Sequence, residues 1–233
     1  PLPPESATAR YTLDDLGGDE RVTVNVAPQS IDGIDGNAAY VAGEYGHFSL
    51  KEVGLIEVHE PFSAALWIRP DPRRDVDAGK TRVLMGTTGN KNQFWRGWEF
   101  YLDPDDHLSV RLIHNPPENL IHVRTTAKIE AERWTHVAFS YDGNARASGI
   151  EIYVDGKPAE TVVHDDSLTR TIFPARAAPG YPPDTDRTVR VGRSYRAFTG
   201  DFGIYHGAID DIRIYDLALT PVEAGALFAS YGH

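Results

Sequence analysis

Cysteine is absent from the 233 residues of this sequence. Disulfide bonds and thiolate metal sites are therefore excluded, and so is covalently attached haem, which requires a C-x-x-C-H motif. Long hydrophobic runs are absent too, since no stretch approaches the roughly 18 apolar residues that a membrane-spanning helix needs. We therefore expect no insertion into a membrane.

Positive charge is in short supply. Lys and Arg number 23 against 34 Asp and Glu, which gives a formal net charge of −11. Binding to nucleic acid and attachment to an anionic membrane both depend on clustered Lys and Arg. Neither partner is expected, whereas calcium or a neutral sugar is compatible with an acidic surface.

Motifs of the common hydrolases and nucleotide-binding proteins are missing. The nine histidines show no H-x-x-x-H spacing, and neither a G-x-S-x-G elbow nor a phosphate-cradling glycine loop is present. His114 and His122 could face one another across the NPPEN segment, but no third metal ligand is visible. The sequence therefore gives little support to a metal-dependent or nucleophilic enzyme.

The most regular pattern lies in residues 134–143 (WTHVAFSYDG) and 149–159 (GIEIYVDGKPA). Apolar and polar residues alternate in both, which is the period of a half-buried strand. Asp155-Gly156 stands where a type I′ hairpin turn needs positive φ, and a return strand is predicted from Lys157. Because two such strands cannot bury their faces alone, the rest of the chain must supply a second sheet.

One helix is predicted near the end of the chain. Thr220 is suited to the N-cap, Pro221 to the first helical position and Glu223 to the third, which together form a capping box. The helix should run to about Ser230, with Gly232 just beyond it. The predicted fold class is all-β: a two-sheet antiparallel β-sandwich with one short C-terminal helix.

A domain boundary is predicted near the start of the chain. Residues 1–10 are Pro-rich and read as a disordered linker, whereas residues 11–233 form a single domain. The sequence begins PLPPESATAR, without an initiator methionine or a signal peptide. We therefore expect it to be a segment of a longer protein.

Several motifs resemble those of laminin-G-like, concanavalin-type jelly-roll domains. They are FSAALWIRPD, WTHVAFSYDG, GIEIYVDGKPA, RVGRS and GAIDDIRIYDLALTPVEAGAL, and the resemblance covers roughly residues 36–230. The segments NLIHVRT, ARASG and SLTRTI are also similar to laminin-G-like segments of planctomycete-type cytochrome-c-linked proteins. The resemblance implies a non-catalytic module of a multidomain, exported protein, located outside the cell or in the periplasm.

A calcium site is expected at one corner of the sandwich. By strand parity, Asp210 shares the core-facing side with Ile212 and Ile214, and a buried carboxylate needs a partner. The resemblance implies a structural Ca²⁺ bound by Asp210 and by the turn that contains Asp35, with carbonyls and water completing the shell. The alternative is that Asp210 only accepts backbone N–H hydrogen bonds.

A ligand site is predicted at two aromatic loops. Trp95 and Arg96 follow a polar loop and suit stacking on a sugar ring, while Tyr195, Phe198 and Tyr205 lie in a second loop. If the loops converge at one rim, they form an aromatic and polar cleft. The alternative for Trp95 is a lid over the sheet.

Carboxylate spacing argues against a glycosidase. Such enzymes need two carboxyl groups on either side of the glycosidic bond. The nearest alternating run is Glu151, Tyr153 and Asp155, where tyrosine takes the middle position and the turn uses Asp155. The first hypothesis is therefore a non-catalytic module that binds glycan; the second is a structural or protein-interaction domain that binds no sugar but packs against other domains of its parent protein. A glycoside hydrolase or lyase is the least favoured.

Overall fold

The computed structural model describes residues 6–41, 47–51, 53–89, 95–173, 188–194 and 203–232. Two antiparallel sheets pack face to face, which confirms the predicted all-β sandwich. The first sheet contains β1 (Ala9–Tyr11), β3 (Gln29–Asp32), β4 (Asn37–Val41), β6 (Phe62–Pro70), β11 (Thr135–Tyr141), β12 (Ile150–Val154), β13 (Lys157–Pro158) and β16 (Gly207–Tyr215). The second contains β2 (Val22–Val24), β5 (Phe48–Leu50), β7 (Arg82–Gly86), β8 (Gly97–Leu102), β9 (His107–Asn115), β10 (Asn119–Lys128), β14 (Thr161–Asp166) and β15 (Val189–Val191).

Strand order shows which residues become neighbours. The first sheet runs β13-β12-β11-β6-β16-β4-β3, and β1 pairs with the C-terminal part of β16. The second sheet runs β14-β10-β9-β8-β7-β15-β5-β2. Some neighbours are consecutive in the chain, such as β8 and β9, whereas others, such as β6 and β16, come from distant parts of it, as in a jelly roll.

The core lies between the sheets and is built on aromatic rings from both. The ring of Trp98, from β8, lies 5.5 Å from Phe62 and 5.6 Å from Phe139, both in the first sheet. The indole Nε1 of Trp98 donates to the Gly54 carbonyl at 2.8 Å, so its one polar group is satisfied. Burial of these large rings supplies much of the stability of such a core.

The predicted hairpin and helix are both confirmed. Asp155 (φ 48°) and Gly156 (φ 73°) form the turn between β12 and β13. The helix α1 (Pro221–Ala229) has Thr220 as its N-cap and a complete capping box with Glu223. A Cβ on Gly156 would lie 2.7 Å from that of Phe228, so glycine allows the helix to pack against this turn. No helix among the described residues is long and apolar enough to cross a membrane.

The N-terminal strand belongs to the sandwich. Residues 9–11 pair with Ile212–Ile214 of β16, and Arg10 contacts Asp211. Ala9 and Arg10 were predicted to lie in a linker because residues 1–10 are Pro-rich, and a strand of three residues is too short to show a period. The ordered fold therefore begins before residue 11.

Candidate functional site

Trp95 and Arg96 lie at one end of the second sheet. Trp95 is half-buried with φ 53°, in the turn that leads into β8. Burial is the main cause of the lowered pKa of Arg96. The charge of Arg170 lowers this pKa further, whereas the charge of Glu57 raises it. His114 Nδ1 donates to the Thr171 carbonyl at 2.7 Å, and the charges of Arg96 and Arg170 both act on its ring. The predicted loop thus sits beside cationic groups.

Of the three aromatic residues predicted in the second loop, Tyr205 is the one that lies among the described residues. Tyr195 and Phe198 lie outside the described residues. Tyr205 is fully buried, and its hydroxyl donates to the Ala208 carbonyl at 3.2 Å. Tyr205 is therefore a core residue in this structure and presents no ring to a ligand. The aromatic composition of the loop could not show which ring turns inward.

Asp210 is satisfied by backbone amides. Its Oδ2 accepts from the N–H of Ile34 at 2.7 Å and of Asp35 at 3.3 Å, and its Oδ1 accepts from Asp211 N–H at 2.7 Å. The side chain is completely buried, and this burial raises its pKa to about 6 against the lowering effect of the three hydrogen bonds. This geometry corresponds to the hydrogen-bonding alternative.

The two carboxylates predicted to hold calcium do not converge. The Asp35 side chain is 64% exposed and pairs with Arg10 at 3.1 Å. A Cβ on Gly33 would lie 2.4 Å from Asp210 Oδ2, so this oxygen has backbone close on one side. No group of three or more His, Asp or Glu suited to a metal occurs within the described ranges. In this arrangement backbone amides hold Asp210 and Arg10 holds Asp35, and calcium at this corner stays a prediction.

A polar row crosses the outer face of the second sheet. Strand register aligns one residue from each of its eight strands, in spatial order Asp165, His122, Arg111, Glu99, Gly86, Arg190, Ser49 and Thr23. Their sequence neighbours, such as Leu112 and Phe100, point into the core. Because side chains alternate along a strand, the row faces away from the core. We call these eight residues the polar row.

Residues of the polar row are held by specific contacts. Glu99 is fully buried and accepts from the Ser194 hydroxyl at 2.6 Å. Arg190 is buried as well, and it donates to the Thr88 carbonyl. A carboxylate acceptor and guanidinium donors thus stand side by side on one face. Both side chains are buried, so they order this face, and the partly exposed Arg111 and Asp165 are the charged members of the row that can reach a sugar hydroxyl.

Tyr101 and His122 support the middle of the row. The Tyr101 hydroxyl lies 3.0 Å from His122 Nε2, and the His122 ring stacks on His164 at 4.8 Å. The Arg111 guanidinium lies over the Tyr101 ring, 5.2 Å from its centroid. His122 is thus paired with Arg111 across the β9–β10 hairpin, and the predicted approach to His114 does not occur.

The sequence analysis missed this face. Its signal was present as polar residues at alternate positions of successive strands: Glu99 and Tyr101 in β8, Ser109 and Arg111 in β9, His122 and Arg124 in β10. Each strand was recognised from its apolar residues, and the polar ones were taken as solvent-facing. Only the register shows that they form one continuous surface.

Carboxyl groups on this face are not spaced for glycoside cleavage. Glu99 and Asp103 are four residues apart on one strand, a separation of about 13 Å at the usual strand rise. Glycosidase pairs lie about 5–9.5 Å apart. Asp103 also pairs with Arg124 at 3.1 Å and accepts from two backbone amides. On the first sheet, Glu151 accepts from the Tyr153 hydroxyl at 2.9 Å.

A cavity of about 260 Å³ lies elsewhere, beside the edge strand β3. Its walls are mainly apolar and include Leu13, Leu16, Val24 and Pro28. It contains none of the predicted site residues and few polar groups for a sugar. The polar row is the better candidate for glycan recognition.

Comparison with known proteins agrees with this architecture. The profile of the concanavalin A-like lectin/glucanases superfamily matches residues 42–224. No curated protein matches the chain.

Three solved structures share the fold at low sequence identity. Domain 4 of a GH43 extracellular arabinanase from Geobacillus stearothermophilus, in complex with arabinotriose, has a TM-score of 0.55 and 21% identity, over 95% of this chain and 98% of that one. The CBM40 of the Ruminococcus gnavus IT-sialidase, bound to α2,3-sialyllactose, has a TM-score of 0.54 and 16% identity, over 90% and 100%. The binding domain of Paraclostridial Mosquitocidal Protein 1 has a TM-score of 0.60 and 17% identity over 92% of this chain, which spans only 48% of its length.

Proposed function

This chain belongs to the concanavalin A-like lectin/glucanases superfamily, and from that membership we propose that it is a carbohydrate-binding domain that recognises glycan on the outer face of its second sheet. The polar row carries this proposal. It places two carboxylates, two guanidinium groups and an imidazole on one face, and Tyr101 and His122 support its centre. Donors and acceptors held in fixed positions suit the many hydroxyls of a sugar.

Two observations favour binding without catalysis. The carboxylates of the face are too far apart along β8 to act on one glycosidic bond. Asp103, the second of them, is already paired with Arg124. The fold neighbours that carry sugars in their structures include a carbohydrate-binding module.

A glycan array with the whole chain tests the proposal. We expect binding to at least one oligosaccharide, with arabinotriose and sialyllactose among the probes. Glu99→Gln should weaken that binding at least about 10-fold, because the buried carboxylate that orders this face next to Arg111 and holds Ser194 is lost. Glu151→Gln, the same change on the other sheet, is the control and should bind as the wild type does. No binding to any glycan would leave the interaction-domain alternative.

Trp95 and Arg96 are proposed to extend this site at its end. Aromatic stacking on sugar should make Trp95→Ala bind more weakly while its melting temperature stays the same. Unchanged affinity in Trp95→Ala would limit the site to the polar row. A matched control is Val76→Ala, an exposed apolar residue elsewhere on the surface.

Calcium at Asp210 and Asp35 stays a prediction. Binding would require Asp35 to leave Arg10 and the backbone amides to turn away from Asp210. If calcium does bind there, EDTA will lower the melting temperature of the wild type and will not affect Asp210→Ala. If EDTA leaves the wild-type melting curve unchanged, the corner is held by hydrogen bonds alone.

The cellular setting is proposed from the function. A glycan-binding domain meets its ligand outside the cell or in the periplasm, within a larger exported protein such as the cytochrome-c-linked type that its motifs resemble. An antibody against this domain, used on fractionated cells, should detect a longer polypeptide in the periplasmic or extracellular fraction. Detection in the cytoplasm alone would contradict this setting.

A further inference from the structure

Arg111 stands out among the arginines of the polar row and its surroundings. It is half-buried, its Nε is buried without a hydrogen-bond partner, and no carboxylate within the described residues pairs with it. The chain has 34 Asp and Glu against 23 Lys and Arg, so a carboxylate could easily have been supplied. Leaving a guanidinium unpaired in a half-buried position costs free energy.

Nearby arginines are paired. Arg124, on the adjacent strand and the same face, lies 3.1 Å from Asp103. At the edge of this sheet, Arg73 lies 2.9 Å from Asp106. Arg111 therefore differs from Arg124 and Arg73 in having no carboxylate partner among the described residues.

Arg111 is held in place from behind. Its guanidinium rests on the Tyr101 ring at 5.2 Å, and the Tyr101 hydroxyl is fixed by His122 at 3.0 Å. His122 is itself fixed by stacking on His164, and its Nδ1 lies 3.7 Å from Asp165. A supported guanidinium has less conformational freedom to lose when it binds a ligand.

Glu99 lies next to Arg111 in the row and Asp165 lies two strands away, and both carboxylates have other partners. Glu99 accepts from the Ser194 hydroxyl, and Asp165 lies beside His122. Both would repel an anion that strayed from Arg111, so they limit where a negative charge can sit. A planar guanidinium binds a carboxylate through two parallel hydrogen bonds, which is its preferred recognition geometry.

We propose that Arg111 forms a carboxylate subsite, so that the glycan bound by this domain is acidic and carries a uronic or sialic acid residue. The inference rests on the proposed glycan-binding function. The neighbouring hydrogen-bonding groups of the polar row then contact the hydroxyls of the same sugar. The carboxylate of the ligand then pairs with Arg111, for which no described residue supplies a carboxylate.

Calorimetric titration with matched acidic and neutral probes tests this subsite. The pairs are trigalacturonate with its carboxyl-reduced trisaccharide, and sialyllactose with lactose, so that the two arms tell the two acid sources apart. We expect one acidic probe to bind at least about 10-fold more tightly than its neutral partner, the value of a charge-assisted hydrogen bond. Equal affinity within both pairs would overturn the carboxylate subsite.

Two variants locate the preference. Arg111→Met should abolish the difference between acidic and neutral probes, and Arg111→Lys should keep only part of it, because lysine lacks the planar fork. Arg124→Met is the matched control and should keep the full difference. If Arg111→Met retains the preference while folded, as judged by its melting temperature, Arg111 is not the subsite.

Failure of the two proposals is distinguishable. Equal binding of acidic and neutral sugars refutes the carboxylate subsite and leaves carbohydrate binding intact. Absence of binding to every probe and every array glycan refutes carbohydrate binding, and the subsite with it.

Discussion

The outer face of the first sheet buries an aspartate among three donors, whereas the outer face of the second sheet carries an arginine without a carboxylate. Asp211 Oδ1 accepts from Arg10 at 2.8 Å, and its Oδ2 accepts from Arg213 at 2.9 Å and from the Tyr231 hydroxyl at 2.6 Å. Arg111 rests only on the Tyr101 ring. Both faces belong to the same sandwich. On the first, Asp211 is paired with two arginines, whereas on the second no carboxylate among the described residues pairs with Arg111.

Asp211, Arg10, Arg213 and Tyr231 form a cluster on the outer face of the first sheet, which we call the closed face. Arg10 comes from β1 and Tyr231 follows α1, so the Asp211 cluster holds both against β16. Burial alone would raise the pKa of Asp211, but hydrogen bonds from Arg10, Arg213 and Tyr231 hold it below its usual value. A buried charged group whose partners belong to the chain serves the fold. A charged group that is held in place without a counterion is a candidate for binding a ligand.

Breaking the Asp211 cluster should have the largest effect. Asp211→Asn removes the buried carboxylate that pairs with the guanidinium of Arg213, which costs about 3–5 kcal/mol of unfolding free energy. Urea unfolding measures this loss. Asp216→Asn, an exposed neighbour, should cost less than about 0.5 kcal/mol. A loss below about 1 kcal/mol in Asp211→Asn would mean that the Asp211 contacts do not stabilise the folded domain.

His136 makes the closed face sensitive to acid. The residue is buried beneath Phe228 and Tyr231, and its ring nitrogens have no hydrogen-bond partner among the described residues. Burial, together with the Arg213 charge, lowers its pKa to about 3 although Asp211 opposes this. The folded state therefore disfavours the proton, and the stability present above pH ~6.5 is lost as the pH falls towards 3.

Replacing His136 should remove that acid sensitivity. The wild type should lose about 3 kcal/mol through this group between pH 7 and pH 4, and His136→Phe should not. Urea midpoints at the two pH values measure the difference, with His59→Phe, an exposed histidine, as control. An equal acid loss in wild type and His136→Phe would contradict the assignment.

Asp210 should respond to pH in the opposite direction. Its pKa of about 6 lies above the usual value, so its stabilising contribution is complete below pH ~4 and is lost as the pH rises through 6. The change is about 3 kcal/mol. Asp210→Asn should lower stability at every pH because an acceptor is lost, but it should flatten the curve between pH 4 and 7. An unchanged curve would mean that this carboxylate is solvated.

Substitutions on the outer face of the second sheet should have the smallest effect on stability. Arg124→Met loses a partly exposed ion pair with Asp103 and should cost up to about 1 kcal/mol. Arg111→Met breaks no ion pair, and methionine can still pack on Tyr101, so its change should stay within about 0.5 kcal/mol. Melting temperatures of the two variants compare them directly. A larger loss in Arg111→Met than in Arg124→Met would make Arg111 a structural residue.

The sequence by itself determined the local features. Alternation in β11 and β12, positive φ at Asp155-Gly156 and the capping box at Thr220 depend on residues close together in the chain. Such patterns can be recognised before any tertiary contact is known. The family motifs are continuous segments for the same reason.

Only the tertiary structure decided the site. The polar row takes one residue from each of eight strands between Thr23 and Arg190, and strand register, which is set by pairings far apart in sequence, brings them together. The inward turn of Tyr205 and the three amides around Asp210 likewise depend on distant backbone. Whether an arginine finds a carboxylate is a property of this packed surface, and the composition of the chain does not contain it.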